Sequence, residues 1–274
     1  MPEWLPAVLL FLFGSAIGSH LNVLVLRFGF VERSSPRSEC AQCGVVIRWY
    51  DLIPVLSYFS LKGRCRSCGS ALNIQYPLVE AVTGILFALA YFAFPPDVTP
   101  LSLVQFAALL AAIASALGIV VYDIRHTLVP LPFVYVLGGS AFIFRALEAA
   151  MAGGYGPLMD AALGASALGG FFALITLATR GRGMGIGDAY VASAVGILLG
   201  FVPGVTAVIV GVWSATAVYL GVMLSSRLRL FGGAPRVTMK TELPFAPWLL
   251  FGAAVVLAAG LSILEIGEWI PRFP

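Results

Sequence analysis

Charge is scarce in this chain. Asp, Glu, Lys and Arg supply 11% of its 274 residues, and histidine occurs twice. Soluble domains carry about 25% charge, so composition excludes an ordinary water-soluble enzyme. Cysteine is scarce too. The four cysteines all fall between positions 40 and 68, which excludes a disulfide framework running along the whole chain. No phosphate-cradling glycine loop, no Ser-His-Asp series and no nucleic-acid-binding module is visible. A nucleotide hydrolase, a serine hydrolase and a nucleic-acid partner therefore find no support. What the chain has in excess is apolar surface: 60% hydrophobic residues and a mean hydropathy of +0.97.

That surplus is arranged in runs free of Asp, Glu, Lys and Arg: 4–26, 81–96, 98–122, 127–144, 161–179, 189–226 and 243–264. One bilayer crossing takes roughly 20 apolar residues over about 30 Å. The run 189–226 is nearly twice too long for one crossing, and Gly200-Phe201-Val202-Pro203-Gly204 supplies a break. The pattern predicts an all-α polytopic membrane protein with about eight transmembrane helices. The first run has no basic stretch before it and is long enough to span, so no cleavable signal peptide is expected. With eight spans, fourteen of the sixteen Lys and Arg fall in one set of loops: 27–66, Arg125, Arg180–Arg182 and 227–240. The positive-inside rule puts that set in the cytoplasm and both termini outside. The net charge of +3 thus reports topology rather than affinity for nucleic acid.

Two aspartates stand at the ends of apolar runs. Asp123 closes 98–122, and Asp188 opens 189–226 at the end of Gly185-Ile186-Gly187-Asp188. A carboxylate at the bilayer centre costs about 2.5–3.5 kcal/mol on insertion scales, so such groups read as functional. The eight-span arrangement brings both to the cytoplasmic membrane edge, as an aspartyl dyad would require. Simpler readings exist. Asp188 suits a helix N-cap, and Asp123 suits an interfacial charge paired with Arg125. Gly183, Gly185 and Gly187 permit close backbone approach, so an extended substrate strand can lie against their loop.

All four cysteines occupy the one sizeable soluble segment, 28–76, between the first and second spans. They form two pairs, Cys40-Ala41-Gln42-Cys43 and Cys65-Arg66-Ser67-Cys68, each followed by glycine. The 21 residues between the pairs run just beyond the usual spacing of a four-cysteine zinc site, but four thiolates suit a closed tetrahedral one; two disulfides or four free thiols are the simpler alternatives. A reducing cytoplasm argues against two disulfides, and nothing else in the chain suggests redox chemistry or an iron centre. A small segment with little core gains most from such a metal staple.

Several blocks, taken in order, resemble the bacterial type IV prepilin peptidases, the leader peptidases of pilin and type II secretion systems. They are Gly18-Ser19-His20-Leu21-Asn22-Val23, the cysteine pairs with Asp51-Leu52-Ile53-Pro54 and Gly63-Arg64-Cys65-Arg66, Tyr76-Pro77-Leu78-Val79-Glu80, Asp123, the block Gly183–Asp188, and Pro244-Phe245-Ala246-Pro247. The resemblance implies a membrane aspartic endopeptidase with Asp123 and Asp188 catalytic. It implies cleavage of the short basic leader of prepilins or pseudopilins at the cytoplasmic face of the bacterial inner membrane. Many relatives also methylate the new N-terminus with S-adenosylmethionine, an activity associated with the cysteine segment. On this reading 1–27 is span 1, 28–76 the zinc segment, and 77–274 the protease core of spans 2–8. The chain departs from the family pattern at Tyr190 (usually Lys), at Leu131 (usually Asp) and at Ala246 (usually Gly).

A secondary transporter or channel also uses broken apolar helices and intramembrane carboxylates, but at the midplane. An assembly protein that binds a partner through the zinc segment is a third reading. Elsewhere, His20 reads as a hydrogen-bonded core residue and Asn22 as a link between helices. Gly14 and Gly18, four apart, suit close intramolecular helix packing. Glu80 either caps the second span or faces the site.

Overall fold

The computed structural model describes residues 4–27, 38–40, 42–182, 184–227 and 244–260. Their regular secondary structure is helical, with no strands; two isolated bridges are the only β pairing among them, and most of those in 38–74 are turn and coil. The helices are α1 (Trp4–Arg27), α2 (Leu56–Ser60), α3 (Gln75–Ala93), α4 (Pro100–His126), α5 (Leu131–Ala152), α6 (Gly156–Ala178), α7 (Ile186–Leu199), α8 (Phe201–Arg227) and α9 (Ala246–Ala259). Six of them, α1, α3, α4, α5, α6 and α8, are long and apolar enough to cross a bilayer. The other two long apolar helices, α7 and α9, have 14 residues each, about 21 Å at the standard rise.

The break expected within 189–226 falls at Gly200 alone. Gly200 ends α7 with φ 85, and Pro203 and Gly204 lie inside the first turn of α8. Pro there needs no intrahelical partner for its missing N–H. Asp160, at the start of α6, fastens this corner. Its Oδ1 accepts from the Phe201 amide at 3.0 Å, and its Oδ2 pairs with Arg145 at 2.8 Å.

Small residues set the helix contacts, as expected where lipid removes the hydrophobic drive between helices. Gly14 and Gly18 of α1 lie on α3, where added Cβ atoms would come within 2.8 Å of Thr83 O and of Glu80 Cα. The Gly14–Gly18 pair thus packs within the molecule. On α6 and α7, a Cβ at Gly164 would meet Gly196 O at 2.5 Å, and one at Gly196 would meet Gly164 at 2.4 Å. Backbone cannot yield as a flexible side chain does. Gly196→Ala is therefore expected to cost about 1–3 kcal/mol by overpacking, read as a lower thermal midpoint of the detergent-purified protein.

Around this seam lies the main core: Ile119 of α4, Leu137 of α5, Phe172 of α6, Val191 and Val195 of α7, and Leu249 of α9. Large apolar residues such as Leu12, Phe92, Leu174, Trp213 and Leu220 remain exposed on the long helices, as lipid-facing positions do. His20 also lies on an exposed face of α1, not in the core. An aspartyl dyad formed by Asp123 and Asp188 predicts that the third and sixth apolar helices, α4 and α7, pack together. They instead meet mainly through α5 and α9, each of which touches both.

Candidate active site

Asp123 sits in the last turn of α4. It is 4% exposed, and its Oδ2 is buried without a hydrogen-bond partner. The backbone N–H of Ala246 serves the carboxylate. Ala246 opens α9 and has no exposed surface. At this helix start one amide, that of Ala246, faces the acid; Pro247 has no N–H, and the Trp248 and Leu249 amides donate to Phe245 O. The expected pairing with Arg125 is absent. Arg125 Nε instead donates to Gln75 at 2.5 Å, and Gln75 donates to Asn22 at 3.3 Å. Asn22 also donates to Tyr76 O at 3.2 Å, the inter-helix role expected of it.

Asp188 sits in the first turn of α7, three residues after the N-cap, Gly185. It is not the cap itself. Its carboxylate reaches back to the Gly185 backbone N–H, the half of a capping box that an acid at this position supplies. Asp188 is half-buried and lies within electrostatic reach of Asp123. The two acids that the sequence singles out therefore lie at the same end of the bundle, at the C-terminal end of α4 and the N-terminal end of α7.

Of the three glycines before Asp188, Gly183 lies outside the described residues. Gly185 is exposed and extended (φ −73, ψ 148). Gly187 has a packing reason: a Cβ there would come within 2.6 Å of Val129 Cβ. The α4–α5 turn thus presses on the turn that carries Asp188. Gly187→Ala is expected to push Asp188 away from Asp123, and Val129→Gly to restore the space. The expected readout is loss of substrate cleavage in the single variant and recovery in the double, a coupling that distant sites do not show.

The patterns of two families match the chain. That of the "Bacterial Peptidase A24 N-terminal domain" covers residues 12–94, and that of the "Type IV leader peptidase family" covers 108–222. The chain belongs to the type IV leader peptidase family.

Its relatives include proteins named prepilin leader peptidase/N-methyltransferase. The one from Aeromonas salmonicida is 30% identical, over 95% of this chain and 93% of its own. The one from Bacillus subtilis is 31% identical, over 94% and 96%. The one from Myxococcus xanthus is 33% identical, over 70% of this chain and 56% of its own. No solved structure matches the chain.

The leader-peptidase core begins after the cysteine segment, where the four sulfurs converge. All lie within 4.8 Å of one another, with Cys40 and Cys68 at 3.9 Å. A zinc tetrahedron with Zn–S near 2.3 Å has sulfur edges of roughly 3.8 Å, so the cluster fits. The two pairs are near copies. Gly44 N donates to Cys40 O, and Gly69 N donates to Cys65 O, each at 2.9 Å. Bridges Glu39–Val46 and Arg64–Ala71 close the two turns, and Gly44 and Gly69 take φ 69 and 71. The Cys43 and Gln42 backbone amides pull the Cys40 thiol down to about 6, which favours the thiolate a metal needs.

Sequence reasoning did not find the Ala246 amide, although the Pro-Phe-Ala-Pro block pointed at its position. It also missed Val129 as the partner of Gly187. Glu80 neither caps its helix nor joins the dyad: it accepts from the Val55 amide at 2.7 Å.

Proposed function

We propose that this protein is a membrane aspartic endopeptidase that removes the short basic leader of type IV prepilins or pseudopilins, with Asp123 and Asp188 as its catalytic pair. The observation that carries the proposal is the convergence of a buried acid with an orphaned oxygen and a second, more accessible acid. Family membership and the relatives' names support the same reaction.

Peptide hydrolysis by carboxylates needs one ionised acid to deprotonate a water. The other, protonated, polarises the carbonyl and donates to the leaving amine. Two carboxylates brought within about 3 Å by substrate binding share a proton, so each would supply one role and the titration would belong to the pair. The Ala246 amide holds Asp123, and the Gly185 amide holds Asp188. Both acids are therefore positioned before substrate arrives. The extended backbone at Gly185 offers an edge on which a substrate backbone can lie with its carbonyl exposed. Tyr190 and Leu131 are both exposed. They leave this end without two charges that the family usually carries.

In the proposed topology α7 and α9 cross with the six long helices, giving eight spans in the bacterial inner membrane. The basic loops and both acids then lie on the cytoplasmic side. Residues 28–76 form a zinc module between span 1 (1–27) and the protease core (77–274). The substrate's apolar helix would lie in the bilayer, with its scissile bond at the membrane edge where the acids sit. Cysteine labelling in intact cells tests this orientation: a label at Ser67 or Arg182 that reacts from outside would overturn it.

Methylation of the new N-terminus is extended to this chain on the relatives' name alone. A cavity of about 280 Å³ lies between the zinc module and α1 and α3. Three acids line it, Glu39, Asp51 and Glu80; Asp51 is committed to Arg66 and Glu80 to Val55. The residues present do not define a site for the sulfonium amino acid of S-adenosylmethionine, and no step is derived through it. Turnover of a prepilin-like peptide in nanodiscs, with mass spectrometry of both products, reads cleavage and methylation separately.

A further inference from the structure

The cysteine module carries an apolar ridge that none of the described residues covers. Trp49 is 78% exposed, and Leu56 and Phe59 are 67% exposed each, with Ile53 beside them. Leu56 and Phe59 are three apart on α2 and so share one face. The opposite face of this segment, through Leu52, Ser57, Tyr58 and Leu61, lines the cavity against α1 and α3. The ridge therefore points away from the bundle, outside every long apolar helix.

Its depth follows from one hydrogen bond. Val55 N–H donates to Glu80 Oε2 at 2.7 Å. Glu80 is the sixth residue of α3, and its Cα lies level with Gly18 of α1. From Gly18 to Arg27, the first cation at that end of α1, the axis runs roughly 13 Å. A glutamate side chain spans only part of that distance. Along α3 the polar layer of Gln75, Asn22 and Arg125 begins five residues from Glu80, about 7.5 Å, so the Val55 backbone hangs at the rim of the apolar band.

Backbone at that depth must have its polar groups satisfied by protein, and here it does. Pro54 has no N–H. Val55 uses Glu80, Leu56 uses Pro54 O, Ser57 uses Ile53 O, and Phe59 uses Val55 O. Val55 takes φ 63, which a β-branched residue adopts only when its surroundings impose it. Exposed cations, Arg48, Lys62 and Arg64, flank the ridge in sequence, as they flank segments that rest in an anionic headgroup layer.

We propose that the segment Trp49–Phe59 is a membrane wedge. Leu56 and Phe59 insert among the acyl chains of the leaflet on the module's side, Trp49 sits at the headgroup level, and the flanking cations meet lipid phosphates. Glu80 is the peg that holds the wedge at this depth. The role gives a buried carboxylate a function distinct from the aspartate pair, and it does not rest on the peptidase reading.

The test uses the full chain in nanodiscs. Phe59→Trp is placed in a Trp49→Phe background, and its emission is taken as the difference from Trp49→Phe alone. Leu56→Trp in the same background is the second probe, and retained zinc shows that the module is folded. Wild type minus Trp49→Phe reads the native tryptophan without any added residue. Lipids brominated near the headgroup are expected to quench all three signals more than lipids brominated near the chain end. Aqueous iodide is expected to leave the probes at 56 and 59 nearly unquenched. Quenching by iodide as strong as for free tryptophan would overturn the wedge. Protection from both quenchers would overturn it too, and would mean that protein, not lipid, covers the ridge.

Discussion

Replacing either Asp123 or Asp188 by asparagine is expected to reduce prepilin cleavage to background while the helical bundle stays folded. Asparagine keeps the shape and size of the side chain but can neither hold nor share the proton. Positioned acid–base catalysis is worth about 10²–10⁴-fold for one group, so a single substitution should cost at least that much. The structure also indicates how the two variants should differ. Asp123 is buried with one oxygen unpartnered. An amide there carries no charge to desolvate, so the Asp123 variant should be as stable as the parent or more so. Asp188 contributes to the first turn of α7 through the Gly185 amide. Its replacement should loosen that turn slightly, since removing a helix-start acid costs about 0.3–1 kcal/mol. Thermal midpoints measured beside cleavage rates separate these effects.

The second large effect should come from the metal. The protein purified without chelator is expected to carry one zinc per chain. Cys40→Ser should lose it, because Cys40 is the buried ligand of the four. Once the metal is gone, little holds the module. Its described residues contain a five-residue helix, one short 3-10 turn and two isolated bridges, and Cys40 is its one buried apolar residue. Binding free energy at such a site is folding free energy, about 10–16 kcal/mol in small zinc peptides. Amide exchange across 38–72 should therefore rise to that of an open chain in Cys40→Ser. The α6–α7 seam should keep its protection, because its contacts are glycine-backed and distant. A metal-free protein with a fully protected module would remove zinc from the account.

Much of this was legible in the sequence because it is local or periodic. The apolar runs give α1 and α3 to α9 directly. The Cys-x-x-Cys-Gly spacing gives both knuckles, down to the positive φ at Gly44 and Gly69. The Gly14–Gly18 spacing gives close helix packing within the molecule, though not α3 as the partner. The two acids were readable because charge is costly in an apolar run. What stayed hidden depends on tertiary approach. A backbone amide such as that of Ala246 has no residue signature, and its meeting with Asp123 needs α9 folded onto α4. Val129 looks like one apolar residue among many until Gly187 is seen against it. The acids come together through α5 and α9 rather than by direct packing of α4 on α7, and no local pattern encodes that. Glu80 was ambiguous because its partner is a main-chain N–H, 25 positions away.

The central claim is that Asp123 and Asp188 act as one unit, and a double-mutant cycle tests it most directly. Leader release from a prepilin-like substrate is timed in nanodiscs for the parent, Asp123→Asn, Asp188→Asn and the double variant. Groups that act together are non-additive. The account predicts that all three variants sit at the same background rate, with the double no slower than either single. A single variant that cleaves near the parental rate, or a double variant whose loss is the product of two independent partial losses, would contradict it.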